Sequence, residues 1–400
     1  MQISDLATEQ KLMPLLRQAF RPMFLLGGAF SAIAMLLWGL VLAGHIQLTP
    51  FANVLFWHSH EMIFGFVVAI VIGFLLTAVQ NWTGLRAPHG KTLLFITLLW
   101  LAGRLVLLFG QSLPLVLVAA IDLSFLPVCA FLLAKPLIQT GQQRNLFFIP
   151  VLALLTICNL LMYIGVAYHR YDLQQLGSQN AVWLVTLLMT IVGGRVLPMF
   201  TANGTQTKKA EPIVWLDRIA LGSLWLIFIL HFLTLTQYIH AYAISVLFAI
   251  SAIAIAIRCA RWKIWITAKV PLLWSLHIAY WFIPIGLALY SARYAGLPIS
   301  NSVALHALTA GAMGSMILSM MARVSLGHSG RVLKPKAIMS VAFILVIAAA
   351  VSRTLLISIW PLETTHWLML GVAAWCVAYL LYVIVYFPVL TTPRPDGRPG

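Results

Sequence analysis

Twelve apolar runs follow one another along the chain, separated only by short polar breaks, and this constrains the fold more than any single motif. A spanning helix takes around 20 predominantly apolar residues. That ruler places spans at about 24–44, 57–80, 91–110, 112–134, 146–168, 178–200, 213–235, 238–260, 270–292, 302–325, 337–358 and 365–390. Backbone amides inside a bilayer have no water to bond, so a spanning chain closes its hydrogen bonds as helices or as a sealed barrel. Uniformly apolar runs of this length select helices. The expectation is an all-α polytopic membrane protein with a short N-terminal segment (1–23), one twelve-helix membrane domain (24–390) and a tail (391–400), with no soluble appendage.

Composition agrees. The chain is 62% hydrophobic and 8% charged, against about 25% charged residues in soluble domains. Its 14 Trp and 21 Phe suit a lipid-facing surface with aromatic interfacial belts. The formal charge of +16 would suggest nucleic acid in a soluble protein. Here the cations fall in loops, which excludes nucleic acid as a partner and makes the lipid bilayer the expected one. The N-terminal tail, the even-numbered loops and the C-terminal tail hold 18 Lys and Arg, and the odd-numbered loops hold two, Arg170 and Arg293. By the positive-inside rule both termini are cytoplasmic. The start, "MQISDLATEQKLMPLLRQAF", has neither the apolar core nor the cleavage site of a signal peptide, so insertion by the first span is expected. Cys129, Cys158, Cys259 and Cys376 are scattered singly and support neither a disulfide framework nor a zinc site.

The stretch "FWHSHEMIFGFVVAIVIGFLLTAVQ" (56–80) opens the second span with two histidines and a glutamate. Ionisable groups in spans are costly and usually functional. Helical spacing gathers Trp57, His60, Glu61, Phe64 and Gly65 on one face, and sets His58 about 200° away from His60. His60 is therefore the ligand candidate, with Gly65 leaving room for a flat bulky group, and His58 an accessory metal or interfacial group. The plain alternative for both is an interfacial hydrogen bond to a loop. The second constellation is "LHALTAGAMGSMILSMMARVSLGHSGR" (305–331). His306 opens the tenth span at the same depth as His60, on a helix running the same way. Met313, Met316 and Met320 line up near it, as packing residues or as thioether ligands for copper. Two histidines at matched depth on separate helices suit axial ligation of a haem. Arg104 and Arg353, in the outer thirds of their spans, could meet Glu61, Asp122 or haem propionates. His277, in "WSLHIAYWFIP", lies near the midplane as a metal ligand, a proton relay or a buried hydrogen-bonding group.

A faint repeat accompanies these residues. His60 is followed by Gly65 and Gly84 at the spacing at which His306 is followed by Gly311 and Gly330, and "PMFTANG" closes the sixth span at Gly204. Three four-helix units would account for that pattern.

At these segments, together with "FRPMFLLGG" (20–28), "GRVLPMFTANG" (194–204) and "SLHIAYWFIPIG" (275–286), the sequence resembles the NnrS family of haem- and copper-containing bacterial membrane proteins. The resemblance implies a multi-pass protein of the bacterial inner membrane that carries haem and copper. It also implies a link to nitric oxide metabolism or nitrosative-stress tolerance, with nitric oxide or a nitrosyl-metal species as ligand. More distantly, the chain is similar to the catalytic subunit of haem-copper oxidases, which has twelve spans in three four-helix arcs and haem ligands on its second and tenth helices. The sixth span here has no histidine, so the three-histidine copper site of those oxidases is not expected. The competing functional class is a proton- or metal-coupled transporter of a metal complex or small anion.

Overall fold

The computed structural model describes residues 10–397. Residues 1–9 of the N-terminal segment, and Arg398 with the last residues of the tail, lie outside the described residues. Among the described residues the chain is helical without strands, and twelve helices are long and apolar enough to cross a membrane. They are α1 (Phe20–Leu42), α2 (Val54–Thr83), α3 (Gly90–Phe109), α4 (Leu115–Gln139), α5 (Gln143–Ala167), α6 (Tyr171–Thr205), α7 (Val214–Phe232), α8 (Ala241–Arg261), α9 (Pro271–Tyr294), α10 (Asn301–His328), α11 (Ile338–Ile359) and α12 (Pro361–Thr391). α2, α9 and α10 are the most enclosed, and α4 and α7 the least.

Helix ends follow polar groups that an apolar ruler does not register. α6 extends well before residue 178 because "YDLQQLGSQN" continues the helix through a polar surface turn. Arg21, expected in the N-terminal tail, lies instead in the first turn of α1 and is fully buried. Its Nη1 donates to the carbonyls of Leu390 (2.8 Å) and Thr392 (2.9 Å) at the end of α12, where a helix dipole favours a cation. Arg258, expected in an inner loop, is likewise a buried residue of the last turn of α8.

Contacts group the chain into two compact units. Among the described residues the first comprises 10–181, Met321–Leu333 and 379–397. In it, glycine permits close helix approach: a Cβ on Gly27 would lie 2.8 Å from Ile70, and one on Gly73 would lie 2.8 Å from Met23. The second comprises Val182–Met320 and Lys334–Ala378. There α8 and α9 exchange hydrogen bonds, Ser245 Oγ to Ser291 O (2.8 Å) and Ser291 Oγ to Ser245 O (2.9 Å). Ser245→Ala and Ser291→Ala are each expected to lower stability in thermal unfolding by about 0.6–1.7 kcal/mol, the scale for interhelical bonds in lipid, because each deletes one hydroxyl donor and leaves the other bond intact. Unchanged unfolding in both variants would refute a working pair.

The histidine-bearing helices share a local design. Asn53 caps α2 by accepting from Phe56 N (2.9 Å), and Ser300 caps α10 by accepting from Val303 N (3.1 Å). Both helices then pass into π-helical winding directly after the histidine, at Glu61–Val67 and Ala307–Gly314. α2 ends at Gly84 with φ 70°, and Gly330 after α10 has φ 69°, a left-handed conformation that glycine adopts without a Cβ penalty. Gly204 departs from the pattern: it is helical, and the left-handed position falls on Gln206.

Candidate functional site

In the first unit, four helices each send polar side chains to one buried point. α2 supplies His60 and Glu61, α3 supplies Arg104, α4 supplies Asp122, and α5 supplies Asn159 and Tyr163, all 5% exposed or less. Arg104 Nη1 donates to Glu61 Oε2 at 2.7 Å, and its Nη2 donates to Asp122 Oδ1. Asn159 Nδ2 donates to Asp122 Oδ2 at 2.8 Å. That leaves Asn159 Oδ1 to accept from His60 Nε2 (2.9 Å), which also reaches Asp122 Oδ2 at 3.0 Å. Both neighbours of Nε2 are acceptors, so Nε2 carries the proton. The cluster thus sets two carboxyl groups, Glu61 and Asp122, around the Arg104 guanidinium.

The same geometry decides which atom of His60 could meet a metal. Nε2 is committed, whereas Nδ1 is buried with no hydrogen-bond partner among the described residues. A carboxylate bonded to one imidazole nitrogen orients the other toward a metal, so the donor set fits a ligand role through Nδ1. Phe56, Phe64 and Tyr163 pack around the ring, with centroids 5.2–5.7 Å away. Gly65 does not leave open space as the sequence suggested. A Cβ there would strike Glu61 Oε2 and Arg104 Nη1, so its gap is filled by the ion pair. Gly65 O also accepts from Trp100 Nε1 at 2.8 Å, satisfying a carbonyl of the π-helical stretch. His58 is apart from the cluster, stacked on Trp38 with centroids 4.2 Å apart and planes 11° apart.

In the second unit, His306 Nδ1 donates to Ser302 O at 2.7 Å. This tautomer puts the lone pair on Nε2, the arrangement usual for a ligating histidine. Arg353 Nη2 donates to Ser302 Oγ at 2.6 Å, from a third π-helical stretch, Ser352–Leu356, in α11. Arg353 therefore joins the His306 turn, while Arg104 joins Glu61 and Asp122. His277 is 1% exposed and its Nε2 meets Thr201 Oγ1 of α6 at 2.8 Å. Near it Arg258 Nε pairs with Asp217 Oδ1 (2.7 Å), and Nη1 donates to Tyr280 OH (3.3 Å), whose hydroxyl reaches Thr190 O (3.2 Å).

The sequence reading singled out His60, Glu61, Arg104 and, as a partner, Asp122. It missed Asn159 and Tyr163, although a lone asparagine in "TICNLLMY" was the available signal. Among the described residues no group of three or more His, Cys, Asp or Glu is placed to hold a metal ion, whereas a haem iron needs only one or two axial donors from the protein.

No curated protein matches the chain. A family model does: residues 14–394 match the one described as NnrS protein. That match takes in all twelve helices, and the chain belongs to the NnrS family.

Proposed function

We propose that this NnrS-family membrane protein carries haem and acts in nitric oxide metabolism or nitrosative-stress tolerance, with His306 and His60 as the candidate axial ligands, each argued from its own surroundings. The observation that carries the reading is the coincidence of π-helical winding with these residues. Three spans change register, directly after His60, directly after His306 and around Arg353. Such winding interrupts regular helix bonding and is found frequently at functional sites. A bound haem would supply a redox-active iron, and with both histidines as ligands a diatomic gas would reach that iron only by displacing one of them. This chain's part is to present donor atoms and charge. The Ser302 carbonyl orients His306 for ligation through Nε2, and Asp122 with Asn159 orients His60 for ligation through Nδ1. Arg353, half-buried beside the His306 turn, offers a guanidinium to carboxylates such as propionates. Copper is proposed as the second metal on the family resemblance, with Met313 and Met316, both buried, as thioether candidates.

Protein purified from haem-replete cells should show a Soret band. His306→Ala should lower haem content by about tenfold or more, with an unchanged gel-filtration profile and reduced tolerance of cells to a nitric oxide donor. His60→Ala tests the second candidate separately, and elemental analysis of the same sample reads copper. Correctly folded protein with no Soret band would reject the proposal. It would favour coupled transport, for which the buried His60–Glu61–Arg104–Asp122 cluster is the supporting observation.

A further inference from the structure

We propose that a recess between the α6–α7 and α8–α9 connections is a binding site for a phosphate group. It encloses about 400 Å³, within the range of small-molecule sites. Lys208, Lys209, Arg261 and Lys263 all line it, against one carboxylate, Glu211. Four cations and one anion leave a net charge of three around one concavity, and a low-dielectric wall concentrates such a field. The recess is a built one. Arg261 Nη2 donates to Glu211 O at 3.0 Å, which ties the two connections together, and within the α6–α7 connection Lys208 Nζ lies 3.5 Å from Glu211 Oε1. Lys263 holds a left-handed backbone, φ 57°, which non-glycine residues rarely adopt and which clusters at ligand clamps. The buried residues of the lining are Pro198, Trp262 and Thr201, whose hydroxyl is anchored by its hydrogen bond to His277.

The chemistry selects phosphate. Lysine ammonium groups act as mobile point charges, a guanidinium adds a planar fork, and Thr207 adds a hydroxyl to the same lining. Cations that merely snorkel would spread outward toward lipid headgroups, but these four face one recess. The Lys and Arg distribution expects this face to be cytoplasmic, where a phosphate arrives either on a soluble small molecule or as the headgroup of an anionic lipid. The inference is independent of the haem reading, since none of its lining residues is a proposed haem ligand.

The test compares the wild type with the double variant Lys209→Gln/Lys263→Gln, whose positions are exposed. In neutral phosphatidylcholine nanodiscs, calorimetric titration with inorganic phosphate and with pyrophosphate reads the soluble source. Native mass spectrometry in detergent, with phosphatidylglycerol against phosphatidylcholine, reads the lipid source. At least one arm should show binding that the double variant weakens by about tenfold or more, since each lost charged contact accounts for roughly that factor. Unfolding temperature and haem content should not change. Absence of preference in both arms, or equal binding by the variant, would overturn the proposal.

Discussion

Arg104→Leu is expected to lower sharply both the yield of folded protein and its unfolding temperature. The substitution removes the one guanidinium that faces Glu61 and Asp122 and leaves two carboxylates sealed among four helices. Breaking a buried pair from one side costs about 3–5 kcal/mol because the charge left behind loses its counter-charge. Typical domains are stable by about 5–15 kcal/mol in total. The measurement is the yield of monodisperse protein and its thermal unfolding in detergent. A companion variant separates loss of charge balance from loss of packing: Glu61→Gln, Arg104→Met and Asp122→Asn together remove both carboxylates and the guanidinium from the cluster. Replacing a buried ionic set by neutral groups of similar volume is often tolerated, so the triple variant should recover much of the yield. If Arg104→Leu unfolds at the wild-type temperature, the cluster does not hold α2, α3 and α4 together.

Gly65→Ala sets local propensity against tertiary packing. In a helix interior, alanine is favoured over glycine by about 1 kcal/mol, so local preference alone expects a gain. The structure expects a loss. The added Cβ would lie 2.8 Å from the Phe30 ring and would overlap Glu61 Oε2 and Arg104 Nη1. Overpacking costs about 1–3 kcal/mol, and here it also prises apart a buried ion pair. Gly222→Ala in α7 is the control, because a Cβ there meets nothing within 4 Å. It should raise the unfolding temperature while Gly65→Ala lowers it. Equal shifts of the same sign would mean that the ion pair can slide aside without cost.

The face that the second span would bury was legible from its sequence. Trp57, His60, Glu61, Phe64 and Gly65 recur at helical spacing, and all are buried. The partnership of Arg104 with the acidic residues was also legible, since charges of opposite sign in neighbouring spans have few other groups to meet in lipid. Gly84 and Gly330, singled out by their equal spacing from His60 and His306, both hold a left-handed backbone. Arg258 was not legible: directly after Ile257, at the end of an apolar run, it reads as a loop cation, and only Asp217 on α7 and Tyr280 on α9 show why it is drawn inside. The π-helical stretches were equally hidden. They break the angular bookkeeping by which side chains are assigned to faces, so the alignment of Met313, Met316 and Met320 with His306 does not carry through Ala307–Gly314.

By itself the sequence determined twelve spanning helices, because a bilayer lets an apolar run of that length satisfy its backbone in one way. It also carried the segments that mark the family. Tertiary structure alone decided which nitrogen of His60 is committed, that Asn159 completes its network, and that Gly65 serves an ion pair. These depend on the rotation and depth at which separate helices meet. Lipid is as apolar as the helix surfaces it covers, so hydropathy cannot set those quantities, and close packing and a few buried polar contacts do.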